Sequence, residues 1–169
     1  MTANLPVRRS ARVILLDGAA NTLLLRYVDD SYYVDPNDPD LVDYWVTPGG
    51  GVEGDESLEQ AASRELFEET GFADIAMRGP VLRRRYELLI DGVHTACIEH
   101  LFIARHHEVE PAFDISRQHA DELELLRDVR WWSRDTLAAT SDVILPTCLA
   151  QTIEGWLNGS LGPTPRDVA

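Results

Sequence analysis

The sequence contains no lysine: all 15 of its basic residues are arginine, against 29 Asp and Glu, so the formal net charge is −14. P-loops, pyridoxal Schiff bases and lysine general bases all need an amine, and the sequence therefore excludes them. The acidic balance also argues against nucleic acid and membrane as partners, because both attract basic surfaces.

Cysteine is scarce as well. Cys97 and Cys148 lie far apart and form no CxxC pair, which excludes a cysteine-rich zinc site and a disulfide scaffold. The apolar run that follows the basic N-terminus, 13–16, is too short for a signal peptide or a membrane span. These absences predict a cytoplasmic protein in which both cysteines are buried and pack as small apolar residues.

The length of 169 residues and the hydrophobic fraction of 44% are typical of one globular domain, which we expect to span 1–169. Segment 28–43 is acidic and contains two prolines, so it predicts an exposed insert loop, with a lid or a dimer contact as alternatives. Residues 161–169 are expected to fray as a flexible tail.

The periodicity of the sequence predicts an α/β protein with a mixed sheet between helices. Runs rich in β-branched and aromatic residues predict strands at 10–17, 22–27, 44–47, 81–90, 93–105 and 129–132. Helices are predicted at 56–70, 133–139 and 146–157, and 106–126 reads as mixed and loop-like. Turn residues predict that the first two strands form a hairpin and that Asp91-Gly92 joins the fourth strand to the fifth.

The helix at 56–70 carries three glutamates on one face, because Glu65, Glu68 and Glu69 are spaced i, i+3 and i+4. At about 100° per residue, Glu65 and Glu69 fall in the same sector as the apolar positions Leu58 and Leu66. The carboxylates therefore continue the stripe that faces the core.

Such a cluster is unfavourable, since it is partly buried and lies near the negative end of the helix dipole. Arg64 can neutralise only part of its charge. A divalent cation is the simplest way to neutralise the remaining charge, and carboxylate oxygens suit Mg²⁺ or Mn²⁺. The glycines at 49–51 would let backbone approach a ligand closely.

Over Gly50 to Phe72 the pattern Gly50-x5-Glu56-x7-Arg64-Glu65-Leu66-x-Glu68-Glu69-x-Gly71-Phe72 resembles a complete Nudix box, with no departure at any signature position. The resemblance implies a Nudix-type α/β/α sandwich. It also implies hydrolysis of a nucleoside diphosphate linked to another group, X, with Mg²⁺ or Mn²⁺ as cofactor.

The same resemblance implies roles for individual residues. Glu65, Glu68 and Glu69 would be metal ligands, with Glu65 and Glu68 also in the catalytic set. Arg64 would orient a glutamate through a salt bridge, and Glu56 would be an accessory ligand or a support for the helix. Gly50 and Gly51 would shape the substrate-binding loop.

The general base is left open by the sequence. The loop before Trp131 holds Glu122 and Glu124 and resembles the stretch where many relatives place an extra catalytic glutamate. We favour Glu122, with Glu124 or a glutamate of the box as alternatives.

Residues that would bind the substrate are predicted from their chemistry. Arg83 and Arg85 lie on one face of a strand, with Arg84 on the other, and arginine suits phosphate. Trp45 and Tyr86, together with Tyr32 and Tyr33, could stack on a base, although core packing is the commoner fate of an aromatic residue. The family's marker positions downstream of the box do not identify the substrate.

Two further interpretations remain. A Nudix-fold module that senses a nucleotide without cleaving it is typical of degenerate boxes, whereas this box is intact. Isomerase chemistry on an isoprenoid diphosphate needs a cysteine motif upstream of the helix, whereas both cysteines lie downstream. The expected partner is thus a small nucleotide-type substrate, and a homodimer is left open.

Overall fold

The computed structural model describes residues 5–29, 40–90 and 92–168. Their strands are β1 (Val7–Leu16), β2 (Thr22–Val28), β3 (Asp43–Val46), β4 (Gly49–Gly51), β5 (Met77–Ile90), β6 (Val93–Arg105), β7 (Leu126–Trp132), β8 (Ile144–Leu145) and β9 (Arg166–Val168). The helices are α1 (Leu58–Thr70), α2 (Ala120–Leu125), α3 (Arg134–Ala139) and α4 (Leu149–Leu157). Within the described ranges, no helix is long and apolar enough to cross a membrane.

The strands form one curled, mixed sheet in the order β8-β3-β2-β1-β6-β5-β9, with β4 beside β1 and β7 beside β2. β1 lies at its centre, parallel to β6 and antiparallel to β4. The predicted hairpin is present, but β1 and β2 pair only next to their turn, at Leu16 and Thr22. The glycines at 49–51, expected as a turn, form β4.

Side chains of β1 alternate between two cores, one on each face of the sheet. Val13 and Leu15 pack under α1, whereas Ile14 and Leu16 belong to the cluster that α3 and α4 cover. The expected α/β fold with helices on both faces is therefore confirmed.

α1 has defined ends that its own sequence supplies. Ser57 and Gln60 form a reciprocal capping box at the start. Gly71 ends the helix with a φ of 78°, in the left-handed region that glycine adopts without strain. The helix begins at Leu58, two residues later than predicted, because Ser57 has extended backbone.

Three further predicted segments differ from the structure. The last helix begins at Leu149 instead of 146, since 146–148 form a turn in which the Leu149 N–H donates to the carbonyl of Pro146 at 2.9 Å. Segment 106–126, expected to be loop-like, includes α2. The prediction of a fraying tail is wrong for Arg166–Val168, which form β9 parallel to β5.

β9 is held in place by contacts that the sequence alone does not reveal. Asp167 accepts two hydrogen bonds from Arg83, at 2.5 and 2.8 Å, and Val168 packs against the core.

Cys97 is buried and Cys148 half-buried, and both are free thiols. Most of the acidic insert, at 30–39, and Asp91 of the predicted turn lie outside the described residues.

Candidate active site

α1 places its glutamates at the boundary between the core and a cleft. Leu66 is buried against the sheet, and Glu65 and Glu69 continue its stripe with exposures of 7% and 3%. Glu68 lies beside the stripe, with 27% of its side chain exposed. The geometric prediction of an inward acidic face therefore holds for Glu65 and Glu69, while Glu68 lies at its edge.

Glu69 is the most deeply buried carboxylate of the helix. Its two oxygens accept hydrogen bonds from the backbone N–H of Gly49 at 2.6 Å and from the hydroxyl of Tyr27 at 3.1 Å. Burial raises the pKa of Glu69 to about 8, although Arg12 and the Gly49 N–H oppose the rise. Holding this carboxylate ionised at neutral pH therefore needs further positive charge.

Glu65 faces the backbone of Gly50. A Cβ atom on Gly50 would lie 2.4 Å from Oε1 of Glu65, so a side chain there would force the carboxylate to move. Burial raises the pKa of Glu65 as well, and the hydrogen bond from Arg64 works against the rise. The glycine at this point of β4 therefore leaves space for the carboxylate.

Arg64 joins three glutamates and the loop. Its guanidinium donates to Glu56 at 2.7 Å, to Glu65 at 2.9 Å and to Glu68 at 3.1 Å. It also donates to the carbonyl of Gly51 at 2.9 Å. One cation thus fixes carboxylates from the loop and from two turns of α1, and leaves an excess of negative charge.

A cleft of about 130 Å³ opens where these groups meet. Gly49–Gly51 line it, together with Glu65, Glu69, Tyr27 and Glu122 from α2. Gly50 and Gly51, predicted to bind substrate, therefore do lie at the cleft. Because the lining combines the partly accessible backbone of β4 with buried carboxylates, it can hold a cation and a ligand that accepts hydrogen bonds.

Of the two glutamates considered as a base outside the box, only one lies at the cleft. Glu122 is half-buried and lines the cleft, and its charge contributes to the raised pKa values of Glu65 and Glu69. Glu124 is exposed and is not among the lining residues of the cleft.

A second and smaller cavity, of about 40 Å³, adjoins the cleft and shares Arg8 and Arg12 with it. We call it the arginine pocket, because Arg84 also lines it, with the buried Glu99 between Arg12 and Arg84. Arg12 donates to Glu99 at 2.7 Å and Arg84 at 3.0 Å. Burial alone would raise the pKa of Glu99, but the two arginines hold it below its ordinary value.

Some residues predicted to bind substrate lie elsewhere. Arg83 is paired with Asp167, and Arg85 is exposed on the same face of β5. Trp45 is 1% exposed and packs edge-on against Trp132, so it belongs to the core.

Tyr86, by contrast, lines the arginine pocket, with its ring 5.0 Å from the Arg84 guanidinium carbon. Tyr32 and Tyr33 lie outside the described residues.

Sequence reasoning gave no role to four residues that shape the site: Arg12, Tyr27, Arg84 and Glu99. The sequence does contain part of this arrangement, because alternate residues of one strand share a face. Arg8 is thereby grouped with Arg12, and Arg84 with Tyr86. The pairing of these strands across Glu99 depends on the register of β1, β6 and β5, which no local pattern contains.

The donor chemistry of the cleft suits a hard divalent cation. Buried carboxylate oxygens are the ligands that Mg²⁺ and Mn²⁺ prefer, and a cation would offset the burial that raises the pKa of Glu65 and Glu69. Within 5–29, 40–90 and 92–168, no three acidic, histidine or cysteine side chains are gathered as a ligand set. Glu65 and Glu68 share Arg64 as their counterion instead.

A mixed sheet between helices, with a carboxylate-bearing helix beside the glycine strand β4, defines an α/β protein of the Nudix type. The sequence model of the NUDIX domain matches residues 6–149, so the chain belongs to the Nudix family. The family resemblance predicted from the box is thus confirmed, and it assigns the protein to the hydrolases of pyrophosphate bonds.

Solved structures agree on the fold. MutT from Methanosarcina mazei Go1 is 19% identical, covers 95% of this chain and 100% of its own, and has a TM-score of 0.59. The NUDIX domain of Shewanella oneidensis NrtR, solved with ADP ribose, is 19% identical over 93% of this chain and 90% of its own, with a TM-score of 0.63.

An Ap4A hydrolase from C. elegans is 18% identical over 90% of this chain and 99% of its own, with a TM-score of 0.58. At these identities the likeness supports the fold alone. No curated protein matches the sequence.

Proposed function

We propose that the protein is a Mg²⁺- or Mn²⁺-dependent pyrophosphohydrolase that cleaves a nucleoside diphosphate linked to another group, X, by attack of water on phosphorus. The observation that carries the proposal is the burial of Glu65 and Glu69 side by side at a cleft lined by the glycine backbone of β4. With a net charge of −14, the protein needs a cation there to accept a polyanion.

Glu65, Glu68 and Glu69 are the residues that would hold the metal, with Glu56 as an accessory ligand. When bound, the cation offsets the charge of the phosphates and makes a water molecule easier to deprotonate. Arg64 acts as a positioning residue, because its hydrogen bonds fix Glu65 and Glu68 relative to the loop. Gly50 and Gly51 let the substrate approach the backbone.

Glu122 is our choice of general base, which takes the proton of the attacking water. Its position at the cleft supports this role, as does its influence on the two buried glutamates. Glu124 is the weaker candidate because its side chain is exposed and away from the cleft lining. A box glutamate remains the other alternative.

The substrate class is a nucleoside diphosphate derivative. One structural neighbour was solved with ADP ribose and another is an Ap4A hydrolase, and both names describe nucleotide ligands. We extend that class, and no particular member of it, to this chain. A nucleotide-sensing module is the second candidate, but no observation on the described residues favours it.

The decisive experiment is a phosphate-release screen with Mg²⁺ or Mn²⁺ against ADP-ribose, nucleotide sugars, nucleoside triphosphates and dinucleoside polyphosphates. Glu68→Gln should lower kcat by about 10²-fold or more, as expected for loss of a group at the reacting centre. Glu59→Gln, on the exposed side of the same helix, is the matched control and should keep its activity. If no compound is hydrolysed by the parent protein, the sensing module becomes the better interpretation.

The base is identified by a second pair of variants. Glu122→Gln should lower kcat by about 10²–10⁴-fold with an intact fold, whereas Glu124→Gln should have a small effect. The reverse order would assign the base to Glu124, and normal turnover in both would assign it to the box.

A further inference from the structure

The cleft continues into the arginine pocket, and the two compartments have opposite charge. The cleft contains three carboxylates, those of Glu65, Glu69 and Glu122, against the two arginines that it shares with the pocket, so its net charge is negative and suits a cation. The pocket is lined by Arg8, Arg12 and Arg84, against a single buried carboxylate, that of Glu99. A local excess of positive charge next to the candidate site is unexpected in a protein with a net charge of −14.

The charge of Glu99 does not satisfy the arginines that surround it. Arg84 is 8% exposed and uses one terminal nitrogen for Glu99, while its Nε is buried. That Nε has no hydrogen-bond partner in the described part of the chain. A buried donor without a partner is costly, so it marks a place where a ligand atom would gain a strong hydrogen bond.

Arg8 adds a second available guanidinium at the entrance. Its side chain is exposed, lines both compartments, and makes no hydrogen bond or ion pair with the described residues. Arg12 is less available, because its Nε donates to Glu99 and its Nη1 donates to the carbonyl of Thr47. Among the described arginines of the pocket, Arg8 and Arg84 therefore have more free donors for an incoming anion than Arg12 has.

We propose that the arginine pocket is a subsite for a second anionic group of the substrate, a phosphate or a carboxylate outside the scissile diphosphate. This inference rests on the proposed function and narrows its substrate class to derivatives that carry such a group. The volume of about 40 Å³ is far below the roughly 300 Å³ or more of pockets that bury a whole ligand, so the pocket is suited to a small group. Arginine is fitted to both anions, because its planar fork can donate two parallel hydrogen bonds.

A purely structural role for the arginines is the competing explanation. It accounts for Arg12 and for one nitrogen of Arg84, since both neutralise Glu99. It does not account for the unpartnered Nε of Arg84, nor for Arg8, which neutralises no described carboxylate. The subsite explains both.

The first test measures anion binding without metal, so that its outcome does not depend on hydrolysis. Inorganic phosphate and succinate are titrated separately into protein in a chelating buffer, and the arginine Nε–H signals are followed by NMR. The signal that disappears in Arg84→Lys should shift saturably with at least one of the anions, and the better one identifies the anion class. Arg8→Gln should weaken that binding by about tenfold.

Arg9→Gln is the matched control, because Arg9 is exposed and lies on the opposite face of β1, facing His100. It should leave the phosphate affinity unchanged. No saturable shift of the Arg84 signal, or an equal loss in Arg9→Gln and Arg8→Gln, would overturn the subsite while leaving the hydrolase proposal intact.

The second test uses ADP-ribose and an ADP-ribose that carries one more phosphate on a ribose. In the parent protein kcat/KM should be higher for the more phosphorylated compound. Arg8→Gln should reduce this preference about tenfold, by raising the KM for that compound. An equal loss on both compounds would assign Arg8 to the scissile diphosphate and contradict the proposal. If neither compound is hydrolysed, each is instead tested for its ability to displace phosphate from the protein, as reported by the Arg84 NMR signal. The more phosphorylated compound should displace phosphate at the lower concentration, and equal displacement by both would contradict the proposal.

Discussion

Glu65 lies so close to the backbone of Gly50 that a side chain at Gly50 would push the carboxylate aside, since an added Cβ would be 2.4 Å from Oε1. We predict that Gly50→Ala displaces this carboxylate and lowers kcat by about 10²-fold, the scale of a 1 Å misplacement near a reacting centre. Steady-state kinetics in Mg²⁺ on the substrate found in the screen measure the effect.

The matched control for this prediction is Gly162→Ala. A Cβ on Gly162 would meet no described atom within 4 Å, so its kcat should equal that of the parent. Equal activity of the two variants would show that the position of Glu65 does not matter to turnover.

At the residue scale, local spacing was enough to predict the acidic face. Glu65 and Glu69 are buried where helical geometry places them, since a helix fixes the relative direction of positions four apart. Trp45 and Arg83 could not be placed in this way, because their partners, Trp132 and Asp167, are distant in sequence. Such contacts follow from strand register, which sequence periodicity does not define.

At the element scale, α1 depends on its N-terminal capping box. The Ser57 hydroxyl accepts from the Gln60 N–H at 3.1 Å, and the Gln60 side chain accepts from the Ser57 N–H at 2.7 Å. We predict that Ser57→Ala lowers the free energy of unfolding by about 1 kcal/mol, the usual value of a helix cap. Urea denaturation followed by circular dichroism measures it.

The same substitution at Ser63 controls for the loss of a hydroxyl. Ser63 is exposed within α1, where alanine has the higher helix propensity, so Ser63→Ala should be neutral or slightly stabilising. A Ser57→Ala protein as stable as the parent would contradict the cap's contribution.

Elements with strong local signals were predictable and those made by distant pairing were not. Ser57 and Gln60 define the start of α1, and Gly71 defines its end. β9 exists because Arg166–Val168 pair with β5, more than eighty residues earlier, and its own sequence has no strand pattern. β4 is three glycines, which only the neighbouring β1 makes into a strand.

At the scale of the whole molecule, Glu99 connects β6 to β1 through Arg12 and to β5 through Arg84. The two arginines hold the pKa of Glu99 below its ordinary value of about 4.5, against the effect of burial. The ionised carboxylate therefore stabilises the fold above that ordinary pKa, and this contribution is lost as the pH falls through the lowered one.

We predict that Glu99→Gln destabilises the protein at pH 7 by about 3–5 kcal/mol, as loss of one partner of a buried ion pair does. The difference from the parent should shrink in acid, because the parent's Glu99 then becomes neutral. Glu87→Gln, an exposed change on β5, is the control and should have little effect. A destabilisation that stays constant from pH 7 into acid would contradict the ion-pair account.

The two cores rest on opposite faces of the same central strand, so a single domain stays our prediction for the chain.

The net charge of the whole molecule and the burial of the site's glutamates both indicate that the site needs cations. An acidic protein that places Glu65 and Glu69 out of water at its cleft requires cations both to keep them ionised and to admit a polyanion.

The most direct test of this claim is a titration with Mn²⁺, followed by the relaxation of water protons, in the parent, Glu69→Gln and Glu59→Gln proteins. We predict saturable binding in the parent and in Glu59→Gln, with at least about tenfold weaker binding in Glu69→Gln, since a ligand is lost. Absence of Mn²⁺ binding to the parent, or equal affinity in all three proteins, would contradict the account.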